Sequence, residues 1–204
     1  MTEPQRTVEV ERTYDVDADT PLPDWSGVPG VLEVGAGERR ALDARYLDTA
    51  DAALARAGVA VRRRTGGPDE GWHVKGPRDG DARIELGWPL GENEEPPSAV
   101  REALTRWTSE PLLPFARIEN SRTAYQLRGA EGVVAEFVDD RVRATDVRGG
   151  VERSWREWEV ELGPAGPTDP AARTAFFAAV ERAVHAAGGR AASSDSKLAR
   201  ALGH

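Results

Sequence analysis

Charged residues in this chain recur two positions apart. Glu9 and Glu11 form one such pair, and Arg62 and Arg64 a second. His73 with Lys75, Arg83 with Glu85, and the run Glu157, Glu159, Glu161 follow. In an extended strand that spacing puts both members of a pair on one face. The commoner use of such a face is a solvated sheet surface. The alternative is the lining of a closed barrel, which can hold charge only if it is wide enough for water or filled by an ion-rich ligand. A lumen of that kind needs both signs. Carboxylate pairs suit a hard divalent cation, and arginines and lysines suit phosphate oxygens. Five such sets on separate segments favour the barrel, although period alone does not close one.

The segments that must carry these residues read mostly as strands. Thr7–Val16 alternates, with Glu9, Glu11 and Thr13 on one face and Val8, Val10, Arg12 and Tyr14 on the other. Arg40–Asp48, Val59–Thr65, Gly71–Gly76 and Ala82–Pro89 follow, the last two separated by a turn-rich stretch from Pro77. Ile118–Leu127, Val133–Asp139, Arg141–Val147 and Ser154–Leu162 complete the strands. Helical period appears at Asp51–Ala57, at Ser98–Thr108, from Asp169-Pro170 to Gly188-Gly189, and at Ser194–Ala201. Many strands and few helices predict a β-dominated α+β fold, a barrel or a sandwich, with no linker dividing residues 1–204.

Composition narrows the chemistry. The 204 residues include no cysteine, which removes disulfides, thiolate metal sites and a cysteine nucleophile. No apolar run approaches the roughly 20 residues of a membrane span, and the polar Met1–Glu11 shows no signal peptide. A cytoplasmic location is expected. The net charge of −8 argues against nucleic acid or an anionic membrane as partner. The three histidines, His73, His185 and His204, make no Ser–His–Asp arrangement. His73 shares the Lys75 face and can serve as phosphate donor or as support. Trp25, in a Pro-rich loop, either packs or touches an organic group at a tunnel entrance.

The ordered series of motifs resembles the CYTH domain, the triphosphate tunnel metalloenzyme superfamily. It comprises Val8-Glu9-Val10-Glu11-Arg12-Thr13, Arg45-Tyr46-Leu47-Asp48-Thr49, the Arg62–Arg64 strand and Trp72-His73-Val74-Lys75-Gly76-Pro77. Arg83-Ile84-Glu85, the Arg122 strand, Glu136–Asp140, Trp155–Leu162 and Ser196–Leu202 complete it. The resemblance implies an eight-stranded antiparallel tunnel that binds a small-molecule triphosphate, as a monomer or homodimer and in the stand-alone bacterial form. It implies metal-dependent hydrolysis of inorganic, nucleoside or thiamine triphosphate; alternatives are ATP cyclisation of the class IV type and non-catalytic binding of a phosphorylated ligand. Carried over by position, Glu9, Glu11, Glu159 and Glu161 would hold Mg²⁺ or Mn²⁺. Arg62, Arg64, Lys75, Arg83, Arg122 and Lys197 would contact phosphates, with Lys75 and the four metal-holding glutamates as the catalytic set. Glu85 and Glu136 would orient these bases or support the metal, together with Asp140, favoured by parity, or Asp139. The pattern departs at Thr13, which stands where the family signature has lysine. Its hydroxyl can bond a phosphate but carries no charge, and Arg12 faces the other way.

Overall fold

The computed structural model describes residues 3–80, 82–194 and 196–204. Eight long strands make the wall: β1 (Gln5–Val16), β3 (Glu38–Asp48), β4 (Ala60–Thr65), β5 (Gly71–Asp79), β6 (Ala82–Trp88), β7 (Leu113–Gly129), β8 (Gly132–Asp146) and β9 (Val151–Leu162). All neighbours are antiparallel, in the order β1-β6-β5-β4-β3-β7-β8-β9, and β9 returns to β1. The first strand performs the closure. Its residues 5–10 pair with β6 and residues 11–16 with β9, so Glu9 lies opposite Arg83 and Glu11 opposite Glu161. Two short strands sit outside this ring: β2 (Glu33–Val34) on β7 and β10 (Arg190–Ala191) on β1.

Helices cover two outer faces. The helix α3 (Pro170–Ala187) starts at Asp169, whose side chain caps Ala172 N, with Pro170 in the first turn. It ends at Gly188, at φ 103°. Its Phe176, Phe177, Val180 and Val184 bury against Tyr14, Phe137, Trp158 and Val160. Trp25 belongs to this core. It is 4% exposed, with its ring 4.8 Å from that of Phe137, so it packs and does not reach a tunnel entrance. The helix α2 (Ser98–Leu104) lays Val100 and Leu104 over Val61, Trp72, Val74 and Trp88. The short α1 (Ala53–Arg56) is anchored by buried Asp48, which accepts from Leu54 N and Ala55 N.

The fourth helix, α4 (Lys197–Leu202), is capped by Ser196, whose hydroxyl accepts from Ala199 N. Leu198 and Ala201 pack on Ala44, Tyr46, Ile118, Val142 and Ala144. Tyr46 shares its register position with Arg62, and Ala44 with Arg64, so this cluster occupies the inner face of the barrel. The lumen is therefore charged along part of its length and apolar where α4 plugs it. Several element boundaries shift from expectation, three of them with consequences for the site. The two strands expected at Val133–Asp139 and Arg141–Val147 are one, β8, which ends at Asp146. The fifth strand runs to Asp79, through the stretch expected as a turn. Strand β7 begins at Leu113, five residues early.

Candidate active site

Strand alternation places the charged pairs inside. Glu9, Glu11 and Thr13 of β1, Arg62 and Arg64 of β4, Lys75 of β5, Arg83 of β6, Arg122 of β7 and Glu159 and Glu161 of β9 line one cavity of about 120 Å³. Lys197 reaches it from α4, and Tyr46, Asn120 and Asp69 line it as well. Glu85, Asp140 and Glu136 stand behind this lining, each bonded to a base that faces inward or toward it. Asp139 lies on the opposite face of β8, held by Arg156 at 2.7 Å and Trp158 Nε1 at 3.1 Å.

The bases and acids pair with each other in three groups. In the first, Lys75 donates to Glu9 at 2.7 Å and sits 3.1 Å from Glu85. Glu85 also meets His73 Nδ1 at 2.7 Å and lies 3.6 Å from Arg62. Burial works to raise the Glu85 pKa, but the His73 hydrogen bond and the charges of Lys75 and Arg62 hold it well below the usual range. His73 Nε2 meets Asp69 O at 2.9 Å. Both of its partners are acceptors, so the two contacts are satisfied together only by a doubly protonated ring, which burial opposes. His73 thus supports Glu85, and its second nitrogen faces the β4–β5 loop.

In the second group, Lys197 takes a socket made by Asp140 at 3.0 Å, Glu159 at 2.6 Å and Glu157. Arg122 bonds Asp140 through two nitrogens at 2.8 and 2.7 Å and Glu159 at 2.7 Å. Asp140 is fully buried, yet Lys197 and Arg122 hold its carboxyl far down. Oxygens of Asp140, Glu157 and Glu159 lie within 4.8 Å of one another, a spacing compatible with a metal. The Lys197 ammonium bonds all three, so the trio works as a lysine socket. In the third group, Arg40 grips Glu136 at 3.0 and 3.1 Å and Glu38 at 3.1 and 3.0 Å.

Two places in the lumen are left with charge in excess. Glu161 lies opposite Glu11 and, among the described residues, has no cation within ion-pair distance. Burial, then Glu9 and Glu11, push its pKa up to about 7. That is an acidic centre with a deficit of positive charge, built of hard oxygen donors, and it fits a divalent cation. Among the described residues, Glu9, Glu11 and Glu161 are not a set that meets within 4.8 Å, unlike the Lys197 socket. At the other place, burial and then Arg62 push Arg64 down to about 9. Arg64 meets the Asp69 carboxylate and carbonyl, while its buried Nε, like that of Arg62, has no hydrogen-bond partner. That is a centre with an excess of positive charge, and it fits an anion.

Some residues here were not among the sequence candidates. Arg40 and Tyr46 share the inward parity of β3, a signal present in the sequence; Arg62 donates to Tyr46 at 3.3 Å. Glu157, named with Glu159 and Glu161 in the charged run but given no role there, holds Lys197. Asp69 sits in a loop, which no periodicity reveals. Arg78 comes to 3.6 Å from Glu11 through an irregularity in β5.

The structure is a closed antiparallel β tunnel in which acids and bases face one cavity. The model of the CYTH domain matches residues 9–183, and the chain belongs to that family. Two Mycobacterium tuberculosis proteins, Rv2226 of strain H37Rv and MT2285 of strain CDC 1551, are each 38% identical over 98% of this chain. Both are described as uncharacterized, and the chain spans 41% of their length. Among solved structures, a candidate adenylate cyclase from Bacillus halodurans superposes with a TM-score of 0.64 at 19% identity, covering 96% of this chain and 97% of its own. The adenylyl cyclase candidate HpAC1 from Hippeastrum, whose structure report describes a dominant triphosphatase activity, gives 0.56 at 15% identity, with 96% and 94% covered. The PH1819 protein of Pyrococcus horikoshii gives 0.57 at 14%, with 95% and 98% covered. At these identities the likeness is one of fold. Among the described residues no helix is long and apolar enough to cross a membrane.

Proposed function

We propose that this protein is a divalent-cation-dependent phosphohydrolase that cleaves a phosphoanhydride bond of inorganic triphosphate or of a small organic triphosphate. The observation that carries this reading is the opposition, inside one tunnel, of the Arg62–Arg64 centre and the Glu9–Glu11–Glu161 centre. A triphosphate with its cation carries the same two signs in the same proximity. The triphosphatase activity described for HpAC1, a protein of this fold, supports the reading.

The roles follow from position. Arg62, Arg64, Lys75 and Arg122 bind the phosphate oxygens, with Arg83 and Lys197 at the edges of the site. Glu85 and His73 hold Lys75 and Arg62 in place, and Asp140 does so for Arg122 and Lys197. Thr13 offers a neutral hydroxyl beside Glu11. Glu9, Glu11 and Glu161, with Glu159 beside them, would hold Mg²⁺ or Mn²⁺. A bound divalent ion supplies Lewis acidity and charge neutralisation at a phosphate oxygen. Phosphoryl transfer is mainly a matter of positioning and charge, and fixed guanidinium and ammonium groups stabilise the leaving phosphate without reorganising.

The test is product analysis on inorganic triphosphate, ATP, GTP and thiamine triphosphate, with Mg²⁺ and separately with Mn²⁺. Free phosphate that disappears in the double variant Glu9→Ala/Glu11→Ala is the expected result. Cyclic nucleotide with diphosphate would make the protein a cyclase. A thermal shift with triphosphate and no turnover would make it a binder, a reading that the neutral Thr13 favours.

A further inference from the structure

On β7, Ile118, Asn120 and Arg122 face inward and line the cavity. The rung of Arg122 is charged, with Arg40 on one side and Asp140 on the other. The rung of Ile118 has Ala44 and Ala144 as its partners, and Leu198 of α4 packs into the same cluster. Asn120 stands between the two rungs, opposite Leu42 of β3 and Val142 of β8. Its backbone is taken up by these two ladders, which leaves the side-chain amide. Asn120 is only 7% exposed, and its buried Oδ1 has no hydrogen-bond partner among the described residues. An unpaired buried amide is costly, and asparagine is a poor strand former. Between Leu42 and Val142 the fold alone would favour an apolar side chain.

We propose that Asn120 is a further substrate-binding residue, whose amide donates to an oxygen of the phosphate that Arg64 and Arg122 hold. The proposal rests on the triphosphate reading above. Arg122 is the next inward residue of β7 on one side of Asn120, and Ile118 is the next on the other. Ile118 pairs with Ala44, which pairs in turn with Arg64, so Asn120 lies between the two guanidinium-bearing positions. All three residues line the same cavity, and Arg64 too has an unpartnered buried atom, its Nε. Leu42, Ala44 and Ile118, which share this part of the lining, have no donor to offer an anion. A half-turn about χ2 exchanges the amide oxygen and nitrogen, so the side chain can present N–H to a phosphate without moving the strand. A neutral donor also suits the place. Burial and then the charge of Arg62 already depress the Arg64 pKa, and an amide adds no further like charge.

Two measurements on the full chain test this contact, and they should move in opposite directions. In calorimetric titration with tripolyphosphate in EDTA, Asn120→Leu should weaken binding roughly tenfold or more, the usual worth of a hydrogen bond to a charged group. Without ligand, the same variant should raise the melting temperature by about 2 °C or more, because an unpaired buried amide is gone. Asn120→Val replaces Asn120→Leu if the larger side chain prevents folding. Ser121→Ala, the exposed outward neighbour on the same strand, should change neither reading. If tripolyphosphate binds only with Mg²⁺, the KM for its hydrolysis gives the same comparison. Wild-type affinity in the Asn120 variant means that the amide serves cavity water alone, and it overturns the proposal. A loss of affinity accompanied by a lower melting temperature in both Asn120 variants makes the residue structural and overturns it as well, as does an equal loss in Ser121→Ala. If wild-type protein binds or cleaves tripolyphosphate while the Asn120 variant is unchanged, this inference alone falls. If wild type does neither, the triphosphate reading falls and takes the inference with it.

Discussion

Glu161 makes the electrostatic state of the tunnel measurable. Its folded pKa of about 7 lies above the ordinary carboxyl value of 4.5. The stabilisation tied to its proton is complete below the unfolded value and is lost as pH rises through the folded one. Without added metal, thermal stability should therefore fall between about pH 4.5 and 7, and Glu161→Gln should flatten that slope. A divalent cation on these carboxylates displaces the proton, so titrating Mn²⁺ at pH 6 should release acid, and Glu161→Gln should abolish the release. Asp69 gives a second residue-scale expectation. It sets a carboxylate against Arg64 where a phosphate would bind, but it is 56% exposed. Asp69→Asn should therefore tighten tripolyphosphate binding by only roughly two- to fivefold. The sequence made Glu161 legible because alternation with Trp158 and Val160 fixes its face. It could not show Asp69, because a loop has no period and its contact with Arg64 exists only once Gly66 and Gly67, at φ 77° and 80°, turn the chain.

At the scale of elements, α4 is a wedge with one charged corner. Its apolar side fills the barrel end, and Lys197 neutralises three carboxylates that have little access to water. Lys197→Met should cost about 3–5 kcal/mol in denaturant unfolding at pH 7, because Asp140, Glu157 and Glu159 lose their ammonium. The loss should shrink at pH 4, where those carboxyls take up protons more readily. Ser196→Ala should cost about 1 kcal/mol through the helix cap alone. Elements were legible where one period ran unbroken, as in β1, β4, β9 and α3. The alternation of β8 breaks in the sequence at Asp139-Asp140, adjacent acids that face opposite ways. What keeps the strand continuous is distant: Arg156 and Trp158 satisfy Asp139, and Arg122 and Lys197 satisfy Asp140. The far end of β5 was missed for a related reason. Pro77-Arg78-Asp79-Gly80 has turn composition, and pairing with β6 keeps Arg78 and Asp79 extended before the chain turns at Gly80.

For the whole molecule, the ring of hydrogen-bonded strands makes the α2 and α3 sides depend on the same wall. Trp72, beneath α2, and Trp158, beneath α3, are both fully buried. Fluorescence of Trp72→Phe and Trp158→Phe variants should report coincident unfolding transitions, as two-state behaviour requires. The ring also joins distant parts of the chain: β1 pairs with β9, with Glu11 opposite Glu161. Such long-range pairing is slow to form. During that interval β1 is an unfinished margin, with Gln5–Val10 able to pair with β6 and Glu11–Val16 waiting. A sheet open in this way usually invites other chains to stack on it. Here its concave side would offer carboxylates, guanidinium groups and ammonium, whose desolvation opposes burial against another sheet. The charges proposed to hold a triphosphate would thus also oppose the stacking of an open sheet on a second copy.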